Sequence, residues 1–139
     1  VIGPGPGNPN DRDHPRMKRL HEITQHLLKI NKPVFGVCLG HQILALNLGL
    51  RVEQQKSSTQ GMPRIVTVQG QKHQLGFYNS FSPVMDAANP PQDIGYDCDE
   101  DSRITAMRRK NLVSFQFHPE SVMSKTGREL VLDALLSLV

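Results

Sequence analysis

The sequence predicts an α/β fold, arranged as a three-layer domain around a mixed central sheet. From residue 1 to residue 48 the order is strand, helix, strand, helix, which is typical of parallel strands joined by crossover helices. Residues 65–117 instead carry short strand-like runs separated by turn residues. With 37% hydrophobic and 21% charged residues, the 139-residue chain has the composition of an ordinary globular domain.

The first half of the chain is predicted to alternate strands and helices. Val1 and Ile2 have the character of a strand end, and residues 3–13 form a loop rich in Gly, Pro, Asn and Asp. Residues 34–37 form a short buried strand, and a helix over residues 39–48 ends at Gly49. Between the loop and the strand at 34–37, Asp13 is predicted to cap a helix. Its apolar residues recur at helical spacing: Met17, Leu20, Ile23, Leu27 and Ile30.

The second half is predicted to consist mainly of strands. Residues 65–68 and 75–78 flank a turn at 69–71, and residues 86–101 provide a loop and an exposed edge. Two further strands are expected at 104–107 and 112–117. After Lys125 a last helix begins, with Thr126 and Glu129 as a capping box. Its predicted apolar stripe comprises Leu130, Val131, Ala134, Leu135 and Leu138.

Length and charge narrow the class of protein. The chain is long enough for one domain over residues 1–139, and because it opens like the end of a strand, we expect an N-terminal part of the fold to be missing. The net charge of +3 and the scattered basic residues argue against a nucleic-acid partner, and no apolar run indicates a membrane partner or signal segment. Two cysteines form no disulfide framework, so we expect a reducing, cytoplasmic location.

The most informative motif is G-V-C-L-G-H-Q at residues 36–42. It places Cys38 between Gly36 and Gly40 at a strand-to-helix junction, as in a nucleophile elbow. The flanking glycines are needed because side chains there would collide with crossing backbone. The helix N-terminus is expected to stabilise a thiolate. By itself the motif is equally compatible with a buried cysteine at a tight turn.

A second motif, F-H-P-E, follows the last predicted strand. The strand delivers His118 to the carboxyl edge of the sheet, where open α/β folds bind ligands. Glu120 is placed to accept a hydrogen bond from the imidazole and so to raise the basicity of its other nitrogen. A lone histidine is more often structural, but cysteine, histidine and carboxylate together predict a nucleophile, a base and an orienting acid.

A third motif, G-P-G-P-G-N-P, occupies residues 3–9. Glycine allows close approach of the backbone and proline stiffens it, so the loop could direct an amide towards a developing oxyanion. The alternative is a surface turn. The loop is not a phosphate loop, because the Lys-Ser/Thr ending is absent.

These three motifs, with Y-N-S-F at 78–81 and Q-F-H-P-E-S at 116–121, resemble the class I (triad) glutamine amidotransferase family over essentially the whole chain. The resemblance implies a flavodoxin-like class I glutamine amidotransferase fold in which Cys38 is the nucleophile, His118 the general base and acid, and Glu120 the orienting carboxylate. It implies oxyanion donors at two backbone amides and side-chain or backbone contacts to glutamine. The residues implied in substrate binding are Gly5, Gly7, Leu39, Gln42, Ser80 and Phe81.

The implied reaction is hydrolysis of L-glutamine through a γ-glutamyl thioester, with ammonia passed to a partner synthase. The G-P-G-P-G loop and the Q-F-H-P-E-S segment resemble those of amidotransferases that serve chorismate-utilising synthases of the anthranilate, aminodeoxychorismate and phenazine types. Gln60 and Asn79 stand where anthranilate-type subunits usually carry histidine, which is closer to synthase-fused, phenazine-type domains. The alternatives are a regulatory or scaffolding module with the same fold, an amidotransferase for another acceptor, and a γ-glutamyl hydrolase.

The remaining cysteine and most of the remaining histidines are expected to be structural or solvated, and His73 has no assigned role. No Cys/His cluster has metal-ligand spacing, so no metal or cofactor is expected in this domain, and Mg is implied only for the partner synthase domain. His41 is expected to pack structurally, and Cys98, among carboxylates, to be an ordinary thiol. Three histidines near the first helix are expected to be solvated: His14, His21 and His26. The basic cluster at 108–110 is expected to be solvated as well.

Overall fold

The computed structural model describes all 139 residues. Three helices and six strands follow one another as α1 (Pro15–Lys29), β1 (Val34–Val37), α2 (Leu39–Asn47), β2 (Arg51–Val68), β3 (Gln71–Val84), β4 (Gly95–Cys98), β5 (Ile104–Arg109), β6 (Leu112–Phe115) and α3 (Gly127–Ser137). The helices are all too short or too polar to cross a membrane.

The central sheet is mixed, as predicted, and has the strand order β1-β6-β5-β4. Strands β1 and β6 are parallel, whereas β5 is antiparallel to both of its neighbours. Ile2 forms a further parallel bridge to Gly36 on the free side of β1. Three chain segments therefore leave the sheet at the same carboxyl edge: the Gly/Pro loop, the turn at Cys38 and the segment containing His118.

Alternate residues of the two parallel strands supply two cores on opposite faces of the sheet. Val34 and Leu112 face α1 and α2, whereas Phe35 and Val113 face α3 and the β2–β3 hairpin. This alternation follows from the two-residue period of a strand. It produces the predicted three layers, with two helices on one side and the hairpin with α3 on the other.

The β2–β3 hairpin is much longer than the sequence pattern indicated. The middle of β2 is largely exposed, so it lacks the apolar alternation from which a strand is predicted. The hairpin turns at Gln69 and Gly70, whose φ angles of 52° and 79° suit a two-residue type I′ turn. The register jumps from the Gln54–Phe81 pair to the Thr59–Asn79 pair, so Ser80 has no register partner in β2, although its hydroxyl lies 2.7 Å from that of Ser58.

One predicted helix cap is wrong, and the other has the right position but lacks the predicted hydrogen bond. The cap of α1 is His14, not Asp13, because the Asp11 carboxylate organises the preceding turn and Pro15 begins the helix. Thr126 precedes α3 but makes no capping hydrogen bond; its hydroxyl instead lies 2.7 Å from His73 Nδ1. The predicted capping box at Thr126 therefore does not form, since His73 on β3 occupies the hydroxyl.

The buried face of α1 also differs from the prediction. Met17, His21 and Thr24 are buried, whereas Ile23 and Ile30 are largely exposed. The prediction that His21 is solvated is wrong, since its Nε2 lies 2.9 Å from the Pro9 carbonyl oxygen and its Nδ1 2.9 Å from Asn47 Nδ2. Helical spacing does not reveal polar partners on other segments. His21 thus anchors the far end of the Gly/Pro loop. On α3, Leu135 is exposed although it belongs to the predicted stripe.

Candidate active site

The turn between β1 and α2 has the geometry of a nucleophile elbow. Cys38 has φ 52° and ψ −103°, a backbone conformation that non-glycine residues rarely adopt. A Cβ on Gly40 would lie 1.9 Å from the Ile2 carbonyl oxygen, and one on Gly36 would lie 2.5 Å from Leu44 Cδ1. The predicted collision with crossing backbone is therefore confirmed at Gly40, whereas at Gly36 the nearest obstacle is a side chain and the backbone lies 3.1 Å away.

The Cys38 thiol is buried and hydrogen-bonded to backbone. The residue is buried, and its Sγ lies 3.7 Å from the Tyr78 carbonyl oxygen, which accepts the thiol proton. Burial raises the pKa of Cys38 to about 11; the backbone N–H of Leu39 lowers this pKa and the charge of Glu120 raises it. The expected effect of the helix N-terminus is therefore present in the Leu39 amide, which lowers the pKa of Cys38, but burial outweighs it. Deprotonation requires a base.

His118 is held so that one ring nitrogen remains free. Its Nδ1 lies 2.7 Å from Glu120 Oε1, as predicted, and its Nε2 is buried without a hydrogen-bond partner. The ring of Tyr78 packs edge-on against the imidazole, with 4.9 Å between the ring centroids. The backbone is fixed as well, since His118 donates to Gly76 and accepts from the Ser124 hydroxyl. The free Nε2 is thus the atom available to exchange a proton.

Cys38 and His118 line a single cavity of about 500 Å³. The predicted meeting of these two motifs at one edge of the sheet therefore takes the form of a shared cavity. Leu39 lies outside this lining, because its side chain is buried in a small core with Met17 and Ile43 and only its amide approaches the sulfur. The other lining residues are Gly5, Pro6, Gly7, Gln42, Gln60, Tyr78, Asn79, Ser80 and Phe81.

The Gly/Pro loop is supported from behind by Arg16. One guanidinium nitrogen, Nη1, donates to the Pro6 carbonyl oxygen at 3.1 Å. The other, Nη2, lies only 2.3 Å from where a Cβ on Gly5 would stand. Gly7 has φ 118°, which favours glycine. The loop is therefore preorganised at the cavity wall, and the oxyanion role of the Gly5 amide stays a prediction.

Several lining residues escaped the sequence analysis. Tyr78 and Asn79 belong to the Y-N-S-F motif, yet only its last two residues were assigned a role. Gln60 was noted only as a departure from related sequences, because it lies on an exposed part of β2 without a periodic pattern. Membership of the Y-N-S-F motif was thus the sequence signal that could have identified Tyr78 and Asn79. Gln60 belongs to no such motif and to no periodic pattern of apolar residues.

The predicted structural residues behave as expected. His41 is fully buried, with Nδ1 2.9 Å from Ser114 Oγ and Nε2 2.9 Å from the Ile104 carbonyl oxygen. Burial lowers the pKa of His41 to about 4. Burial and then the neighbouring Asp99 and Asp97 raise the pKa of Cys98, in keeping with an ordinary thiol. No three His, Cys, Asp or Glu side chains of the structure are grouped to hold a metal ion.

The basic cluster also lies where a solvated strand end was expected. Arg109 and Lys110 are exposed at the end of β5 and in the following turn, and Arg108 pairs with Asp97 on the edge strand β4. An ion pair within the sheet and two solvated side chains account for the cluster.

An elbow cysteine, a histidine and a carboxylate at the carboxyl edge of a mixed sheet define a triad hydrolase-like site on an α/β fold. The chain belongs to the class-I glutamine amidotransferase family, whose model matches residues 1–138. The match includes all three motifs. The family assignment that the sequence motifs suggested is thereby confirmed.

Relatives and a solved structure agree with this assignment. The chain is 33% identical over 97% of its length to a phenazine-specific anthranilate synthase of Pseudomonas chlororaphis, and it spans 22% of that protein. It is 34% identical over 98% of its length to a pyocyanine-specific anthranilate synthase component 2 of Pseudomonas aeruginosa, spanning 68% of it. A glutamine amidotransferase of Thermotoga maritima shares the fold, with a TM-score of 0.67 at 18% identity, over 96% of this chain and 65% of that one.

Proposed function

We propose that this chain hydrolyses L-glutamine and delivers the ammonia to a chorismate-utilising synthase domain or subunit. The observation that carries the proposal is the shared cavity of Cys38 and His118, with Glu120 bonded to the far side of the imidazole. A scaffolding module would need neither the strained elbow nor the free, buried Nε2.

Acylation begins with a proton transfer. His118 Nε2 takes the proton of the neutral Cys38 thiol, and the sulfur attacks the carboxamide carbon of glutamine. The oxyanion that forms accepts hydrogen bonds from the Gly5 and Leu39 amides. His118 then returns the proton to the departing nitrogen, the C–N bond breaks, and ammonia leaves a γ-glutamyl thioester on Cys38.

Deacylation uses the same groups in reverse. His118 Nε2 accepts a proton from water as the water oxygen attacks the thioester carbon. The C–S bond breaks, glutamate is released, and the proton returns to the Cys38 sulfur. Glu120 holds the imidazole in the tautomer that leaves Nε2 free and stabilises the imidazolium between the two steps.

The remaining lining residues recognise the substrate. The register jump in the hairpin leaves Ser80 without a register partner at the cavity wall, where the backbone of Ser80 and Phe81 can contact the α-amino and α-carboxylate groups of glutamine. The Gln42 amide lies one helical turn from the nucleophile. These roles, and that of Gly7 in shaping the loop, are part of the proposal.

The choice of synthase partner is supported by the names of the relatives. Two proteins that share about a third of their residues with the chain are described as phenazine- or pyocyanine-specific anthranilate synthases. No metal or cofactor takes part in the steps above, and Mg is assigned to the partner synthase domain. The neutral thiol of Cys38 must remain reduced, which suits a cytoplasmic location.

Replacing the nucleophile tests the proposal. Cys38→Ala, assayed with the synthase present, is expected to abolish glutamine-dependent product formation while ammonia-dependent formation continues. Cys98→Ser is the matched control, because it removes the other thiol at a position outside the cavity and is expected to keep both activities. Glutamine-dependent turnover by Cys38→Ala would refute the proposal. Loss of both activities would indicate a scaffolding role instead.

A further inference from the structure

Successive side chains on one face of the β6 segment contact the first turn of α2. Ser114 is bonded to His41, and Gln116 to Gln42. Two residues further, His118 shares the cavity of Cys38. β6 ends at Phe115 and the chain bends at residues 116 and 117, so the same short segment that carries the base also holds the amide of Gln42. Gln116 was not assigned any role from the sequence.

The orientation of the Gln42 amide follows from its partners. Its Nε2 lies 2.8 Å from the Phe81 carbonyl oxygen, which can only accept a hydrogen bond. The second hydrogen on the same nitrogen points to Gln116 Oε1 at 3.2 Å. Both donors of Gln42 are therefore used within the protein, and its oxygen is the atom left over.

The surroundings of Phe81 prevent the alternative arrangement. Its carbonyl oxygen also accepts from Asn79 Nδ2 at 2.9 Å, so both of its lone pairs are engaged. The Gln42 oxygen has no partner within the chain and is not among the buried unpartnered atoms, so it remains open to the cavity. Gln116 itself is 1% exposed, and its own Nε2 is buried without a partner. A buried amide left half satisfied is costly, which indicates that its oxygen is needed where it is.

We propose that Gln116 is a positioning residue that accepts a hydrogen bond from Gln42 and thereby keeps the Gln42 oxygen directed into the cavity. The cavity wall then presents an acceptor, which favours a substrate group that donates hydrogen bonds. Glutamine offers two such groups, its α-ammonium and its carboxamide nitrogen. The inference rests on the proposed function, since it concerns how that substrate is recognised.

The kinetic test compares two substitutions in the full-length protein. Gln116→Met keeps the length of the side chain but removes the acceptor, so KM for glutamine is expected to rise about fivefold to tenfold while kcat changes less than twofold. Gln116→Glu retains an acceptor oxygen and is expected to restore KM towards the wild-type value. Gln74→Met is the matched control, since Gln74 lies outside the cavity lining and is expected to leave KM unchanged.

Three kinetic results would overturn the proposal: an unchanged KM in Gln116→Met, a fall in kcat as large as the rise in KM, or equal impairment of Gln116→Glu. The pH profile of kcat should stay the same in Gln116→Met, because the His118–Glu120 pair does not include Gln116. A changed profile would assign Gln116 to the base instead.

A second measurement does not depend on glutamine hydrolysis. A crystal structure of Gln116→Met is expected to show the Gln42 amide rotated or in two orientations. A Gln42 amide that keeps its single orientation would overturn the inference even if the kinetics changed. If the wild-type protein hydrolyses no glutamine, the proposed function fails, and the crystal structure still decides the role of Gln116.

Discussion

Adding a single methyl group at Gly127 should damage both the stability and the activity of this protein. Gly127 begins α3, where alanine is ordinarily the better helix former by up to about 1 kcal/mol. Here, however, a Cβ would lie 1.9 Å from the Pro119 carbonyl oxygen and 2.7 Å from its carbonyl carbon. Pro119 stands between His118 and Glu120, so the helix presses directly on the segment that carries the base.

The size of the effect follows from these distances. Because Cβ atoms do not approach such atoms within 3.0 Å, the helix or the Pro119 segment must retreat by about 1.1 Å. Both partners are backbone, so no side-chain rotation relieves the contact. Overpacking of this kind costs about 1–3 kcal/mol, which exceeds the gain in helix propensity. A displacement of about 1 Å at a catalytic group costs up to about a hundredfold in rate.

Urea unfolding and steady-state glutaminase kinetics measure the two effects. Gly127→Ala is expected to lower the free energy of unfolding by about 1–2 kcal/mol and kcat by about tenfold to a hundredfold. Gly95→Ala is the control, because the nearest atom to its Cβ would be 3.7 Å away, an ordinary contact. A Gly127→Ala protein that is more stable than the wild type, with unchanged kcat, would refute the reasoning.

Two pH dependences provide further tests. Folding lowers the pKa of His41 from 6.5 to about 4 and so favours its neutral form. The neutral imidazole contributes about 3 kcal/mol to the free energy of unfolding above pH 6.5, and this contribution is lost as pH falls towards 4. His41→Gln should therefore flatten the fall in unfolding free energy between those values, and an equally steep fall would contradict the assignment. In a Cys98→Ser background, alkylation of Cys38 by iodoacetamide should accelerate steadily beyond pH 10, because the pKa of Cys38 is about 11. A plateau below pH 8 would show that the resting sulfur is a thiolate.

The chemistry of the site could be predicted because it depends on short motifs. The glycines beside Cys38 are required by the elbow itself, and the carboxylate partner of His118 is two residues away. Local backbone geometry determines both relations. The parallel order of the strands then places the two motifs at one edge of the sheet, although 80 positions separate Cys38 from His118.

Features set by contacts between distant segments could not be predicted. Apolar residues do not recur with a two-residue period in the exposed middle of β2. The sequence therefore could not predict the length of the hairpin or the register gap at Ser80. His21 appeared solvated because its partners, Pro9 and Asn47, lie on other segments. The net rise in the pKa of Cys38 could not be predicted either, because desolvation depends on how completely the surrounding layers cover the sulfur.

The amino-acid sequence by itself therefore determined the family, the candidate triad and the order of the central elements, since these follow from local spacing and strand direction. Only the tertiary structure decided that burial raises the pKa of the Cys38 thiol, that Gln116 contacts the Gln42 amide, and that α3 abuts the segment containing His118. Burial, amide orientation and close backbone contacts are properties of packing between segments far apart in the chain, and no local pattern encodes them.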